Sequence, residues 1–581
     1  MEKEGYISYV IKIGSKSYDS QGPIISVSTD FEINRIPTAT IVLIDGDPNS
    51  QDFVLSVEAQ FKLGTEVTIS LGYKGINAEV FKGNIISSTI RSLGTRGMSL
   101  KIDCSHKTIK LTKGRKAKFF EEKTDEDIIK ALFTGNGLTA KVTSTATFVA
   151  HPTFLQYDIT DWDLLITRCE VNSLNVLFSG ADVNIVDAKL TGTAADTYTF
   201  GLDIMEFESE VSSEEQFKKV EAHTWSSDTQ KLLSSVAKKT DFEQLETGFA
   251  KAELVKAISP ASVELFHGGE MPKSELDAWG KSTYTKGGVS KVRGRLKILG
   301  DNVLKLGDEV ELKGLGTNYS GVVMVTGLRQ EYSGQGWVTH IQFGLSARRF
   351  VAKPEVQAPA AGGLTSAMSG LQIGKVLKID GDPQHRIQIA LPVSGAETKV
   401  WARMVFEDAG NNRGRIFWPE VDDEVIVGFL NDDPRNPIIL GSVYSKKNVP
   451  PIKPDAKNEE RAIISKSDVR ITINEKDKSI EIKTPGGNKI FVDDKGKSIT
   501  LEDQHKNTIV MEKAGITIKS MGDITLDATK KINLKAKADV SIEGVNIASK
   551  AKAKFSGEGK AGAEIKTSAI AIIKGSMVKI N

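Results

Sequence analysis

Cysteine is nearly missing from this 581-residue chain: Cys104 and Cys169 are the only two. Two thiols cannot staple a disulfide framework, and their scarcity suits a protein made in a reducing cytosol. No run approaches eighteen apolar residues, which excludes a membrane-spanning helix. The first residues, Met1-Glu2-Lys3-Glu4-Gly5, carry acid and no apolar stretch, so no secretory signal is expected and any exit from the cell takes another route. Charge of one sign is missing too. Lys and Arg number 76 against 75 Asp and Glu, a net charge of +1, so no global field draws nucleic acid or a membrane surface. The histidines at 106, 151, 223, 267, 340, 385 and 505 are scattered, with no His-x-His or Cys-x-x-Cys, and nothing local argues for a metal site. Gly94-Thr95-Arg96-Gly97 and Gly362-Gly363 fit neither a phosphate loop nor a dinucleotide fingerprint, so no cofactor is expected.

What is present is repetition. Ile516 and Ile518 are followed by Ile524 and Leu526, Ile532 and Leu534, then Val540 and Ile542, an apolar pair returning every eight residues. Apolar–polar–apolar is the period-two mark of a strand with one buried face. Earlier pairs are spaced slightly wider: Ile471/Ile473, Ile480/Ile482, Ile490/Val492, Ile499/Leu501 and Ile509/Met511. A fixed short period signals an array rather than a globule. Each unit offers two inward side chains, whereas one coil of a single-chain β-helix needs about three faces. Three identical chains, each supplying one face, satisfy the pattern; an evenly spaced β-meander is the competing arrangement. The expectation is a trimeric, intertwined β-helix (β-prism) needle over 468–581, its core formed by Ile516, Ile518, Ile524, Leu526, Ile532, Leu534, Val540 and Ile542. Beyond Ile542 the inward residues shrink toward Ala551, Ala553, Ala563, Ala569 and Ala571, which predicts a taper.

The chain before the needle reads as mainly β. Residues 1–110 hold β-branched runs bounded by Gly, Asp and Asn, with a turn signal at Asp45-Gly46. Leu306-Gly307-Asp308-Glu309-Val310 echoes Leu63-Gly64-Thr65-Glu66-Val67, and a strand, a Gly turn (Gly94, Gly97; Gly334, Gly336) and a closing strand follow each. Either one barrel-like unit is duplicated, over about 1–110 and 290–350, or two stretches converged on the same turn-and-strand grammar. Helical insertions lie between: residues 123–132 with a Thr cap and acidic first turn, and residues 160–169, capped by Thr160, with Trp162, Leu165 and Cys169 on one face. Shorter helical pieces are expected at 229–237 and 272–279. Residues 351–370, with Pro354, Pro359, Gly362, Gly363 and Gly370, have linker composition; so do 447–467, with Pro450, Pro451 and Pro454.

Between the linkers, 371–446 reads as five short strands closing a small barrel of the OB type. Its markers are Trp401, Pro419, Val421, Glu424, Val425, Phe429, Pro434, Pro437 and Gly441. The run Pro419-Glu420-Val421-Asp422-Asp423-Glu424-Val425-Ile426-Val427-Gly428-Phe429, then Asp433-Pro434-Arg435-Asn436-Pro437 and Gly441-Ser442-Val443-Tyr444, resembles the OB-fold of VgrG and phage-type spike proteins. Residues 157–168 resemble the hub of the same proteins, so the likeness runs in order through hub (1–350), barrel and needle.

The resemblance implies a homotrimeric, cell-puncturing spike at the tip of a contractile injection system, of the type VI or the extracellular phage-tail-like kind. It implies an Hcp-like hexameric tube protein beneath a pseudo-sixfold hub, baseplate contacts, and a PAAR-type tip protein or effector on the needle end. That end is Gly575, Ser576, Met577, Val578, Lys579, Ile580 and Asn581. Assembly in the bacterial cytoplasm followed by export within the particle is implied, with the target membrane met only by puncture. The alternative is a trimeric adhesin or tail-fibre-like binding module. Enzyme activity is not expected. Asp422, Asp423, Glu424, Asp432 and Asp433 sit at strand edges and turns, where solvated charge is the default, and no catalytic domain fits between barrel and needle. That acidity also argues against single-stranded nucleic acid on the barrel aromatics.

Overall fold

Alternation of buried and exposed side chains builds the first strands, because one face of each lies against a core. The computed structural model describes residues 5–20, 22–92, 97–240, 242, 249, 251–258, 261–395 and 399–580. It opens with β1 (Ile7–Ile13), β2 (Lys16–Tyr18), β3 (Ile24–Glu32), β4 (Arg35–Ile44), β5 (Glu66–Tyr73), β6 (Ile76–Ser92) and β7 (Met98–Ser105). Ile11, Ile41, Leu43, Ile69, Leu71 and Ile102 are fully buried. The expected turn at Asp45-Gly46 is the start of a longer loop. Asp45 is buried there and accepts the amides of Leu55 at 3.0 Å and Ser56 at 3.1 Å. Of the expected turn after β6, Gly94, Thr95 and Arg96 lie outside the described residues.

An insertion follows. It runs β8 (Lys116–Thr124), α1 (Asp125–Thr134), β9 (Lys141–Thr143), β10 (Ala150–Ile159), α2 (Asp161–Val171), β11 (Leu174–Ser179), β12 (Asp182–Asp187), β13 (Asp196–Thr199) and β14 (Glu206–Val211). Then come β15 (Lys219–Ser226), β16 (Lys231–Ala237), α3 (Lys251–Ala257), β17 (Ser262–His267) and α4 (Lys273–Ser290). Both expected caps are present. Thr124 and Asp127 exchange hydrogen bonds in a capping box at α1, and the Thr160 hydroxyl accepts the Asp163 amide at α2. Trp162, Leu165 and Cys169 are buried together on α2. The helix expected at 229–237 is instead strand β16: Leu232, Ser234 and Val236 face Trp225, His223 and Glu221 of β15, and the ladder satisfies backbone groups that a lone short helix leaves open. The helix expected at 272–279 exists and is longer, as α4.

The second barrel-like stretch supplies β18 (Val292–Leu299), β19 (Glu309–Lys313), β20 (Gly321–Ser333) and β21 (Gly336–Phe343). It does not form a separate body from 290 onward. It recruits β13 and β14 from the insertion, and all these strands join β1–β7 in one thirteen-stranded sheet, ordered β14-β18-β21-β20-β3-β4-β7-β6-β5-β1-β2 with β19 beside β20 and β13 beside β19. The sequence echo is matched in hydrogen bonds. The Gly64 amide donates to Ile85 O at 2.8 Å and the Ile85 amide to Thr65 O at 2.9 Å; the Gly307 amide donates to Val325 O at 2.9 Å and the Val325 amide to Asp308 O at 2.8 Å. Both glycines sit near φ +90°, where a side chain is strained. A one-residue bulge follows at the same place in each copy, between Ile85 and Ser87 and between Val325 and Gly327. Two independent stretches would not share turn, bonds and bulge, so duplication is the better account.

Within 351–370, the stretch of linker composition, the Arg115 guanidinium donates to the carbonyls of Glu355 at 2.7 Å and Gln357 at 2.8 Å. The OB-type barrel follows as expected. Its strands are β22 (Gln372–Lys378), β23 (Ile387–Ala390), β24 (Lys399–Met404), a hairpin of β25 (Ala409–Gly410) and β26 (Arg413–Gly414), then β27 (Glu424–Phe429) and β28 (Pro437–Ser442). Five close in the order β22-β23-β24-β28-β27. The chain divides into two compact units, Met1–Gly374 with Asp380–Arg415 and Val427–Leu440, and Gly441–Asn581 with Lys375–Ile379 and Ile416–Ile426.

The expected needle is two different structures. Its first part is an antiparallel seven-stranded meander of one chain: β29 (Glu460–Ile464), β30 (Arg470–Asn474), β31 (Ser479–Lys483), β32 (Lys489–Asp493), β33 (Ser498–Glu502), β34 (Thr508–Glu512) and β35 (Gly515–Lys519). β29 lies inside the stretch expected as linker. Here the apolar pairs recur every nine or ten residues as far as Ile509 and after seven at Ile516, enough in each case for a strand of five and a reversing turn. From 520 onward the step is eight and no strand forms among the described residues. The uniform intertwined needle expected from 468 is therefore corrected: up to Lys519 each strand finds its neighbours within its own chain.

Candidate assembly surfaces

Cross-strand register places the meander's apolar residues in two columns on one face. One column runs Ile471, Ile482, Ile490, Leu501, Ile509, Ile518 and the other Ile473, Ile480, Val492, Ile499, Met511, Ile516. Of the predicted core residues, Ile516 and Ile518 close these columns. The opposite face carries Thr472, Glu481, Phe491, Thr500, Val510 and Thr517 with flanking Lys, Asp and Glu, so it is mostly polar, some of it in ion pairs such as Lys489–Glu502 at 3.3 Å and Lys506–Glu502 at 2.7 Å. A single sheet with one apolar face has nothing to bury it against, and the column residues remain partly exposed, Ile480 at 47% and Val492 at 37%. Burying an aliphatic side chain of this size is worth roughly 1.5–3 kcal/mol, so a dozen such residues give a strong drive to acquire a second layer.

The remaining predicted core residues stand alone in this chain. Ile524, Leu526, Ile532, Leu534, Val540 and Ile542 are all exposed, Leu534 at 70%. Among the described residues from 523 to 580 no backbone-to-backbone hydrogen bond is made. The path is nonetheless regular: the chain bends at 521–522, 529–530, 537–538, 545, 552–553, 560–561 and 568–569. Corners therefore return every seven or eight residues, and through Ile542 the apolar pairs lie midway between them. Backbone amides and carbonyls are obligatory hydrogen-bonding groups, and this segment is shaped for partners that its own chain does not supply. At the end, Met577, Val578 and Ile580 are exposed with Gly575, Ser576 and Lys579, while Asn581 lies outside the described residues.

The barrel markers divide by burial. Pro419, Val425, Phe429 and Pro437 are buried, Trp401, Glu424, Pro434 and Gly441 are half-buried, and Val421 is exposed. They serve the barrel's packing and turns. The acidic residues beside them are tied up. Asp433 accepts from Arg435 Nε at 2.9 Å and Nη2 at 2.6 Å, which holds its carboxyl down at about 2. Asp382 is held at about 2 by Arg386 in the same way, and Asp422 pairs with Lys375 at 2.6 Å. Salt-bridged carboxylates in turns are not poised as acids or bases.

Sequence reasoning missed a buried ionic cluster in the hub. Arg168 of α2 binds Asp125 at the start of α1, Glu275 of α4 accepts from Arg168 Nη2 at 2.8 Å, and the Asn172 amide donates to Asp125 at 2.8 Å. His151 Nε2 lies 3.2 Å from Asp125. Burial pushes the Asp125 carboxyl up, but hydrogen bonds from His151 and Arg168 and the Arg168 charge outweigh it and lower its pKa. The cluster locks three helices together. Both cysteines are buried, and burial pushes the Cys104 thiol up to about 12 and the Cys169 thiol up as well, so neither is nucleophilic.

With this geometry in place, three family descriptions match the chain: an Alg8 N-terminal domain over residues 3–334, a type VI secretion system/phage-baseplate injector OB domain over 372–444, and a phage baseplate V C-terminal trimerisation domain over 479–581. A type VI secretion system spike protein, VgrG3 of Vibrio cholerae, is 34% identical over 114 residues, 19% of this chain and 10% of that protein. The actin cross-linking toxin VgrG1 of Vibrio cholerae is 31% identical over 130 residues, 21% of this chain and 12% of that protein. The chain thus spans about a tenth of the length of the curated relatives it matches. Among solved structures, the E. coli c3393 protein, a type VI secretion component with structural similarity to the T4 tail proteins gp27 and gp5, overlays 74% of this chain and 99% of its own. That overlay is loose, at 12% identity and a TM-score of 0.39.

Proposed function

From the premise that this chain belongs to the Alg8 N-terminal domain family and is VgrG-like in its barrel and C-terminal domain, we propose that it is the homotrimeric puncturing spike of a contractile injection system. One observation carries the reading: residues 520–580 follow a path of regular corners, with apolar pairs between them through Ile542, yet make no backbone ladder of their own. Three such segments wound around one axis pair each other's backbones and bury Ile524, Leu526, Ile532, Leu534, Val540 and Ile542. Three meanders set face to face cover the apolar columns above them. A shaft built this way resists compression along its length, which is what transmitting a sheath's stroke demands.

In this reading the hub docks on an Hcp-like hexameric tube protein, the baseplate holds the hub, and the end at Gly575–Ile580 receives a PAAR-type tip protein or effector. The particle assembles in the bacterial cytoplasm and leaves by its own contraction, in a type VI or an extracellular phage-tail-like machine. The chain itself does no chemistry; the activity in the name of the actin cross-linking toxin belongs to that protein. The adhesin alternative has less support, because residues 520–580 offer mostly aliphatic, small and charged side chains, with Phe555 the one aromatic, where a glycan-binding surface wants aromatic platforms. The test is the mass of the purified full chain in solution. Three chains per particle are expected, and one chain per particle removes the reading.

A further inference from the structure

The eight-residue step fixes the spacing of the needle and leaves its register open. Sliding one chain by a single step puts Ile532 where Ile524 stood, Leu534 where Leu526 stood, Val540 where Ile532 stood and Ile542 where Leu534 stood. An even step keeps inward side chains inward, and each exchange is aliphatic for aliphatic, the kind a core tolerates best. Beyond Ile542, small residues such as Ala551, Ala553 and Ala563 have little apolar surface to lose by sliding.

The meander has no such freedom. Its apolar pairs are spaced by nine, ten and seven residues, so no uniform shift lays every pair on the next. Its turns are set one by one. Asn474 Oδ1 accepts the Asp477 amide at 2.9 Å, and Asp503 Oδ1 accepts the amides of His505 and Asn507, each at 2.9 Å. The two parts are tied where they meet. Asn507, half-buried in the turn after β33, accepts the Met521 amide at 2.7 Å and the Ser520 hydroxyl at 3.1 Å on its Oδ1, while its Nδ2 donates to Asp503 at 2.8 Å. Ser520 Oγ accepts the Gly522 amide at 3.1 Å in turn. Met521 and Gly522 form the first corner of the stepped path, so that corner is held to the hairpin turn.

Resting on the trimer reading above, we propose that the meander, acting through Asn507, is the register clamp of the needle. Three meanders packed on their apolar faces bring the chains level, and the Asn507 contact passes that level to the first corner. The chains then enter the stepped segment at one height and pair in step from Ile524 onward. Asn507 is a positioning residue and adds nothing to the shared core. The order of assembly follows from the bonds. Hairpins close through turns of a few residues, whereas a backbone ladder over 520–580 waits for a second chain, so the clamp forms first.

Cysteine pairing between co-expressed full chains, one carrying Ile532→Cys and the other Val540→Cys, reads the register. Cys104 and Cys169 are buried and do not compete. In register, oxidation links 532 to 532 and 540 to 540, and the unlike link, which reports a slip of one step, is nearly absent. Asn507→Ala in both chains should raise the unlike link severalfold while light scattering still gives a trimer. Two glycines inserted between Lys519 and Ser520 should raise it further. An unlike link that stays at the parent level in both backgrounds overturns the clamp and leaves the trimer standing. A rise with the insertion alone overturns the role of Asn507. A parent trimer that forms like and unlike links equally, or no like link, overturns the fixed register. If both changes abolish the trimer, the contact holds the shaft together rather than aligning it, and the proposal falls. A monomeric parent overturns the trimer reading as well.

Discussion

Arg168 holds Asp125 with two parallel hydrogen bonds, Nε to Oδ1 at 2.6 Å and Nη2 to Oδ2 at 2.8 Å, inside the hub. Truncating Arg168 leaves the buried Asp125 and the half-buried Glu275 without their cation. Breaking a buried pair from one side costs about 3–5 kcal/mol. Arg168→Ala should lower hub stability by that order in denaturant titration, and Arg168→Lys, which cannot grip both oxygens, should recover only part of it. A loss below about 1 kcal/mol, the scale of an exposed pair, would show that the cluster does not lock the helices.

His106 gives the hub a pH dependence. Buried against Phe178, its Nδ1 accepts from the Thr108 amide at 3.3 Å and its Nε2 donates to the Ala181 carbonyl at 3.3 Å. Burial lowers its pKa from 6.5 to about 4. Between those values the unfolded chain takes up a proton that the folded chain refuses, so stability falls as pH drops through the window, by roughly 3 kcal/mol at most. Asp125 acts lower: its depressed pKa contributes stability that is present above the ordinary carboxylate value and lost below it. Denaturation curves from pH 7 to pH 4.5 should show the first loss, and His106→Gln should flatten it.

Gly300 lies under the ring of Trp337, and a Cβ there would come within 2.0 Å of it. The indole cannot step aside: it is buried, its Nε1 donates to Gln330 Oε1 at 2.9 Å, and its backbone carbonyl accepts the Gly300 amide at 3.0 Å. Gly300→Ala should destabilise the hub by about 3 kcal/mol or more, at the upper end of overpacking costs. A thermal melt within a degree or two of the parent contradicts that packing.

Replacing Ile524 or Ile532 with Asp puts three charges in one layer of the proposed shared core. An isolated charge is costly to bury, so the trimer should come apart or fail to form. The hub spectrum should stay native, because neither residue touches the hub's core cluster. Light scattering reads the outcome, and an intact trimer carrying the charge contradicts the shared core.

Local features of this fold were legible in the sequence and long-range ones were not. The caps at Thr124 and Thr160, the barrel strands and the eight-residue step depend on neighbours a few residues apart, where side-chain type decides backbone conformation. The wider steps of nine and ten as far as Ile509 were also visible, and they fall within the hairpins. By contrast, the β20–β3 junction joins residues some three hundred apart in sequence, and the Arg168 cluster draws on four elements. No local pattern encodes such contacts. Residues 229–237 misled because Leu, Ser, Val and Ala suit a short helix as well as a strand; the partner β15 decides.

Whether residues 520–580 acquire backbone partners from other chains decides whether this chain is a trimeric spike. Amide hydrogen exchange on the full chain measures this directly. The account predicts that amides from Ile524 to Ile542 are protected about as strongly as the hub strands, and that protection vanishes together with the trimer in Ile524→Asp. A trimer whose amides in that stretch exchange as fast as an unfolded chain contradicts it.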